Sequence, residues 1–144
     1  MKQLKILSLL VVVVLLTGCL SPMIRFTISP DPIKIQKGQE KLDLTLKFRT
    51  SGFGLGYKVD KAIITIVEKN GDALLAPQTV DLSLSIPVVP FVKRDVPIKD
   101  IPLGEIAQLK EEALYEALKE KEYTLKVTIK GTEESLDSAK IVFE

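Results

Sequence analysis

Histidine and tryptophan are absent from this chain of 144 residues, and cysteine occurs once, as Cys19. Without histidine, the chain lacks the side chain that most often serves as a general base and the imidazole that most often binds metals. A single cysteine excludes an internal disulfide and a zinc site built from several thiolates. We therefore expect no metal site and no cofactor.

Neither sign of charge is in excess, since the chain has 20 Lys+Arg and 19 Asp+Glu. This balance favours neither nucleic acid nor an acidic substrate, so we predict no nucleic-acid partner. Carboxylates are adjacent at Glu111-Glu112 and Glu133-Glu134, but neighbouring residues on a helix point about 100° apart and do not face each other. No local pattern marks a serine–lysine pair. The sequence predicts no catalytic residues and a protein that is not an enzyme.

The first twenty residues have the order of a secretory signal. Lys2 and Lys5 precede an apolar run, 6–16, in which only Ser8 is polar. A helix needs about 20 apolar residues to cross a bilayer, so this run is too short for a comfortable span. Its length is typical of the apolar region of a signal peptide.

The apolar run ends in the tetrapeptide LTGC at 16–19. This tetrapeptide resembles the lipobox of bacterial lipoproteins, in which a leucine and two small residues precede an invariant cysteine. The resemblance implies cleavage between Gly18 and Cys19, a diacylglycerol thioether on Cys19 and acylation of the new amino group. The alternative is a buried thiol at the end of an N-terminal helix. Leu20, not Asp, follows the cysteine, which implies sorting to the outer membrane if the envelope is Gram-negative.

This interpretation divides the chain into a signal peptide at 1–18, a lipidated tether at 19–25 and a folded domain at 26–144. Several acyl chains, each contributing about 0.8 kcal/mol per buried CH₂, give durable anchoring. We therefore expect a lipid-anchored protein outside the cytoplasm, with the membrane and an envelope protein as partners. The sequence does not identify a small-molecule ligand.

Apolar and polar residues alternate along most of the remaining chain, as in strands with one buried face. The alternation is clearest in KLDLTLKF (41–48), TVDLSLSI (79–86) and YTLKVTIK (123–130). The segment 61–69 is β-branched on both faces, which is typical of a more buried strand. Asn-Gly at 70–71 predicts a tight hairpin. We predict a mainly β fold, an antiparallel immunoglobulin-like β-sandwich of about seven strands, with one amphipathic helix at about 103–121 before the last two strands.

Two segments depart from this pattern. SGFGLGYK (51–58) is rich in glycine, but a phosphate-binding loop would open a helix and here a strand follows, so we interpret it as a loop between strands. IPVVPFVKRDVPIKDIP (86–102) contains four prolines and is interpreted as an edge strand and connection, with a partly exposed apolar strip as the alternative. The candidate contacts for a ligand or partner are Phe53, Leu55, Tyr57, Phe91 and Val92.

The lipidated N-terminus followed by a sandwich with one late helix resembles immunoglobulin-like and fibronectin-like modules. The segments LDLTLKF, VEKNGDAL and YTLKVTIKG are also similar to those of lipoproteins with a late-embryogenesis-abundant group-2 (water-stress and hypersensitive-response) domain. We expect a membrane-anchored envelope lipoprotein with a non-catalytic binding or structural domain. A carrier or protective protein that holds a hydrophobic ligand or unfolded chains is the second interpretation, and a hydrolase the third.

Overall fold

The computed structural model describes residues 23–54, 56–89 and 91–144. The strands are β1 (Met23–Ser29), β2 (Ile33–Ile35), β3 (Lys41–Ser51), β4 (Tyr57–Glu68), β5 (Ala73–Ile86), β6 (Lys93–Pro102), β7 (Tyr123–Gly131) and β8 (Ser135–Phe143). A 3₁₀ turn (Ala107–Leu109) and one α-helix, α1 (Glu112–Lys119), lie between β6 and β7. The predicted mainly β fold is confirmed, with eight strands in place of about seven.

The strands form two sheets. The first has three strands in the order β1-β3-β6, and the second has five in the order β2-β8-β7-β4-β5. Neighbouring strands are antiparallel, except β2 and β8, which are parallel. The chain passes from the first sheet to the second at Pro30 and Pro32, where residues without an amide donor end strand β1.

Alternation along the strands determines the core. In β3 the apolar residues Leu42, Leu44, Leu46 and Phe48 are all buried. The apolar residues of β7 are buried in the same way, since Tyr123, Leu125, Val127 and Ile129 face the other sheet. In β5, by contrast, only Ile86 of the predicted face is fully buried, and Val80, Leu82 and Leu84 are half-buried. The reason is that β5 is an edge strand of the five-stranded sheet.

The helix predicted at about 103–121 is shorter than the sequence suggests. Only Glu112–Lys119 is α-helical, and the preceding residues form turns in which the amide of Ile106 bonds to Leu103 and that of Leu109 to Ile106. Such three-residue bonding places Leu103, Ile106 and Leu109 on one side, and all three are buried. The first part of the predicted stripe therefore packs on the core with a period of three. In α1 only Leu118 of the predicted positions is buried, beside Tyr115, whereas Ala113, Leu114 and Ala117 are exposed.

The first described strand overlaps the predicted tether. Strand β1 begins at Met23, three residues before the predicted start of the folded domain at 26. The predicted signal peptide, Gly18 and Cys19 lie outside the described residues. Within the described ranges, no helix has the length and apolar character needed to cross a membrane.

Candidate functional site

The two irregular segments meet at one end of the sandwich. Loop 52–56 connects β3 to β4, and loop 87–92 connects β5 to β6. The Gly54 amide donates to the Val88 carbonyl at 3.0 Å, and the Thr50 hydroxyl donates to the Val89 carbonyl at 2.7 Å. Apart from tyrosines, Thr50 is the one polar residue that is buried within the described ranges. We call this end of the molecule the tip.

Large apolar side chains are exposed on both loops of the tip. Phe91 is 90% exposed, Phe53 55% and Val89 42%. Phe91 also has a positive φ of 66°, a conformation that a bulky residue rarely adopts because its Cβ approaches the backbone. The chain therefore presents a phenylalanine to solvent at a position where glycine, which has no Cβ, would be unstrained.

Three cationic residues form a row across the first sheet beside these loops. Arg25 in β1 lies opposite Arg49 in β3, which lies opposite Lys93 in β6. Like charges directly opposite one another repel across a sheet. Asp95 contacts Arg49 at 3.2 Å, whereas Arg25 and Lys93 have no ion pair among the described residues. This row leaves positive charge at the tip without a full complement of carboxylates.

The arginines of this row also line an open depression of about 330 Å³, together with Thr50 and Ser51. Guanidinium groups bind carboxylate and phosphate through paired hydrogen bonds, so this composition suits an anionic group. We use the name tip surface for Phe53, Val89 and Phe91 together with the row Arg25, Arg49 and Lys93.

A second depression, of about 230 Å³, lies near α1 and has a different electrostatic character. Its lining includes Lys119, Lys121, Glu122 and Lys140. Lys121 contacts Glu68 at 3.9 Å, and Lys119 contacts Glu116 at 3.3 Å. Because two of these three lysines have carboxylates beside them and Glu122 also lines the depression, it is less suited to an anionic ligand than the one at the tip.

The hairpin between β7 and β8 brings acidic residues to the same end, on the side of the second sheet. The Tyr57 hydroxyl donates to the Glu133 carbonyl at 2.7 Å and accepts from the Glu133 amide at 3.1 Å. The side chains of Glu133 and Glu134 are exposed. On this side of the tip, exposed carboxylates and the exposed Lys58 and Lys130 lie close together in the chain and across the β4–β7 pair.

The sequence-predicted contact residues divide into three groups. Phe53 and Phe91 are exposed on adjacent loops, as a contact surface requires. Tyr57 is only 6% exposed and Val92 packs half-buried against the core, so the structure does not present these two side chains to solvent as it does Phe53 and Phe91. Leu55 lies outside the described residues.

The sequence did not single out four residues of the tip surface, which are Arg25, Arg49, Lys93 and Val89. Each of the three cations stands near the start or end of a strand, but their alignment depends on strand register. Register is not readable from an isolated charged residue.

Other chemical features lie away from the tip. Burial raises the pKa of Tyr115 and of Tyr123 above the ordinary value of 10.0. Within the described ranges, no group of three or more His, Cys, Asp or Glu side chains is placed to hold a metal ion.

Comparison with known proteins relates this chain to others through structure alone. No protein-family model and no curated protein sequence matches it. A sporulation control protein from Bacillus subtilis is similar over 86% of this chain, with a TM-score of 0.50 and 11% identity. This chain covers 49% of that protein's length. The likeness shows a shared fold.

Two further solved structures are similar at lower scores. A protein from Archaeoglobus fulgidus matches 86% of this chain and 96% of its own, with 10% identity and a TM-score of 0.47. A late embryogenesis abundant (LEA) protein matches 88% of this chain and 75% of its own, with 10% identity and a TM-score of 0.43.

Proposed function

We propose that this protein is a lipoprotein of the cell envelope, held at a membrane by acyl chains on Cys19, and that its β-sandwich is a non-catalytic binding domain. The LTGC tetrapeptide behind a short apolar run supports the anchor. One observation carries the binding role: the two irregular segments meet at the tip, where exposed phenylalanines stand beside Arg25 and Lys93, which have no carboxylate partner among the described residues. Exposed apolar groups on loops held by a rigid scaffold are typical of binding surfaces.

The side chains at the tip favour binding over catalysis. Phenylalanine and valine supply apolar contact area, and guanidinium and ammonium groups attract anions. A hydrolase would need a nucleophile beside a positioned base. The paired carboxylates Glu111-Glu112 and Glu133-Glu134 are exposed on the surface, where water surrounds them.

A carrier for a hydrophobic ligand or unfolded chain is the second candidate, favoured by the exposure of Phe53 and Phe91. The proline-containing segment 86–102 weighs against it, because the side chains of Ile86, Val88 and Ile98 fill the interior where such a ligand would lie. A carrier of this kind would bind through its loops, with little room inside the sandwich.

The anchor is tested by changing Cys19 to Ala in the full chain, expressed in a bacterium with lipoprotein-processing enzymes. We expect the wild type to incorporate a clickable palmitate analogue and to fractionate with membranes. The Cys19→Ala chain should lose the label and remain unprocessed. Ser21→Ala is the matched control, because it changes a neighbouring residue and keeps the tetrapeptide. A Cys19→Ala protein that is still cleaved and acylated would refute the anchor.

The binding role is tested with a photo-crosslinking amino acid placed at Phe91 or, as a control, at Asn70 in the hairpin at the opposite end. Illumination of intact envelopes should give adducts of lipid or protein at position 91 and few at position 70. A position 91 that reacts only with water, in envelopes where the protein is acylated, contradicts a binding role for the tip.

A further inference from the structure

Strand β1 begins at the tip. Met23 pairs with Ser51, the residue that leads into loop 52–56. Cys19 precedes Met23 by four residues, a length that spans at most about 14 Å when fully extended. A lipid on Cys19 therefore keeps the tip, and not the hairpin at 69–72, next to the bilayer. This step rests on the proposed function, because it takes Cys19 as the lipidated residue.

The exposed apolar residues of the tip surface have the chemistry of the membrane interface. Phe53 and Phe91 project from separate loops that the Gly54–Val88 hydrogen bond ties together. Aromatic and aliphatic side chains that enter the boundary between headgroups and acyl chains are buried there by about 5–10 Å. Two phenylalanines and Val89 on one short end are sufficient for shallow insertion without a membrane-crossing segment.

The cationic row complements anionic headgroups. Arg25 and Lys93 flank Arg49 across three neighbouring strands, and their repulsion is relieved when phosphate groups lie above them. The depression between Arg25, Arg49, Thr50 and Ser51 offers guanidinium and hydroxyl donors to such a group. The acyl anchor and the charge complementarity therefore point to the same occupant.

We propose that the tip surface docks on the anionic bilayer to which the protein is anchored, with Phe53 and Phe91 in the interface and Arg25, Arg49 and Lys93 at the headgroups. The β-sandwich then holds a fixed orientation on the membrane and does not rotate freely on its tether. The outer face of the five-stranded sheet and the far end remain available to other molecules.

The test uses the acylated full-length product, purified from membranes and reconstituted into vesicles of phosphatidylcholine alone or mixed with phosphatidylglycerol. Because acylation blocks Cys19, a new single cysteine can be labelled with an environment-sensitive dye. We expect brominated acyl chains to quench the dye on Phe91→Cys and Phe53→Cys in the mixed vesicles. The dye on Asn70→Cys, at the far end, should remain unquenched.

Charge neutralisation tests the headgroup contacts. Arg25→Gln and Lys93→Gln should each lower the ratio of docked to undocked protein about fivefold, reported by the dye at position 91. Lys37→Gln and Lys110→Gln remove the same charge from exposed positions near the far end and should leave the ratio unchanged. Added salt should weaken docking of the wild type in the mixed vesicles.

The outcomes separate docking from anchoring. Protein that floats with the vesicles while the dye at position 91 remains in water overturns docking and leaves the anchor intact. Acylation-dependent flotation that fails altogether overturns the proposed function itself. Shielding of position 91 in native envelopes but not in vesicles of either composition would assign the tip to a protein partner and would also overturn docking.

Discussion

Gly131 in β7 passes so close to Lys58 in β4 that a Cβ on Gly131 would overlap the Lys58 carbonyl oxygen and lie 2.8 Å from its carbonyl carbon. The Cα of Val59 would be 3.0 Å away. These neighbours are backbone atoms of a central strand and have little freedom to move. Thr132 follows at once and donates its amide to the same Lys58 carbonyl at 2.9 Å.

Gly131→Ala should therefore destabilise the fold by about 1–3 kcal/mol, because overpacking forces the two strands apart. Gly104→Ala is the matched control, since a Cβ there meets nothing within 4 Å, and it should change the free energy of unfolding by less than about 0.5 kcal/mol. Urea unfolding of both variants measures the difference. Equal stability of Gly131→Ala and wild type would contradict the close approach.

Thr50 links the end of β3 to loop 87–92, because its hydroxyl donates to the Val89 carbonyl and its amide to that of Val92 at 3.1 Å. Thr50→Val keeps the shape and removes the side-chain bond, which should cost about 0.5–1.5 kcal/mol. Amide hydrogen exchange should become faster at Phe91, whose amide bonds to the Thr50 carbonyl. Thr27→Val, on an exposed position of β1, should leave that exchange rate unchanged.

The strands were predictable where one face is buried, because alternation in β3 and β7 reflects that face directly. The parallel pairing of β2 with β8 was not predictable from the sequence, because it depends on where the chain turns after Pro32. The predicted helix was longer than the observed one because the spacing of Leu103, Ile106 and Leu109 fits both a period of three and the period of an α-helix. Short 3₁₀ turns and helices share that spacing.

The tip was predictable only in part. Phe53 and Phe91 stood out because apolar residues interrupt glycine-rich and proline-rich segments. Tyr57 stood out for the same reason, yet it is in the core because it is the first residue of β4 and faces inward. The row Arg25–Arg49–Lys93 exists only once three strands that are distant in sequence take their register.

Tyr115 connects α1 to two strand ends. Its hydroxyl lies within hydrogen-bonding distance of two acceptors, the Ile35 carbonyl at 3.0 Å and the main-chain oxygen of Glu144, which share its single proton, and its ring packs edge-on against Phe143. Tyr115→Phe keeps the ring and removes the donor, so the free energy of unfolding should fall by about 1 kcal/mol. Tyr123→Phe is the control: its hydroxyl makes no hydrogen bond to the described residues, and the variant should lose less than half as much. Urea unfolding near neutral pH measures both.

The free energy of unfolding should fall at alkaline pH because the pKa values of Tyr115 and Tyr123 are raised in the folded protein. Burial is the main cause of the raised pKa of each, and the charges of Glu68 and Asp72 raise that of Tyr123 further. In the unfolded chain a tyrosine loses its proton near pH 10, whereas the folded protein retains it to higher pH. Their contribution is therefore complete below about pH 10 and is lost as the pH rises through the raised values.

The measurement is the free energy of unfolding of wild type and Tyr123→Phe at a series of pH values from about 8 to 11. Lysines also titrate in this range, but they are common to both proteins and cancel in the difference. We expect the stability difference between the two to be constant up to about pH 10 and then to shift in favour of Tyr123→Phe, which has no proton to lose. A difference that stays constant through pH 11 would mean that the Tyr123 hydroxyl titrates alike in the folded and unfolded chains.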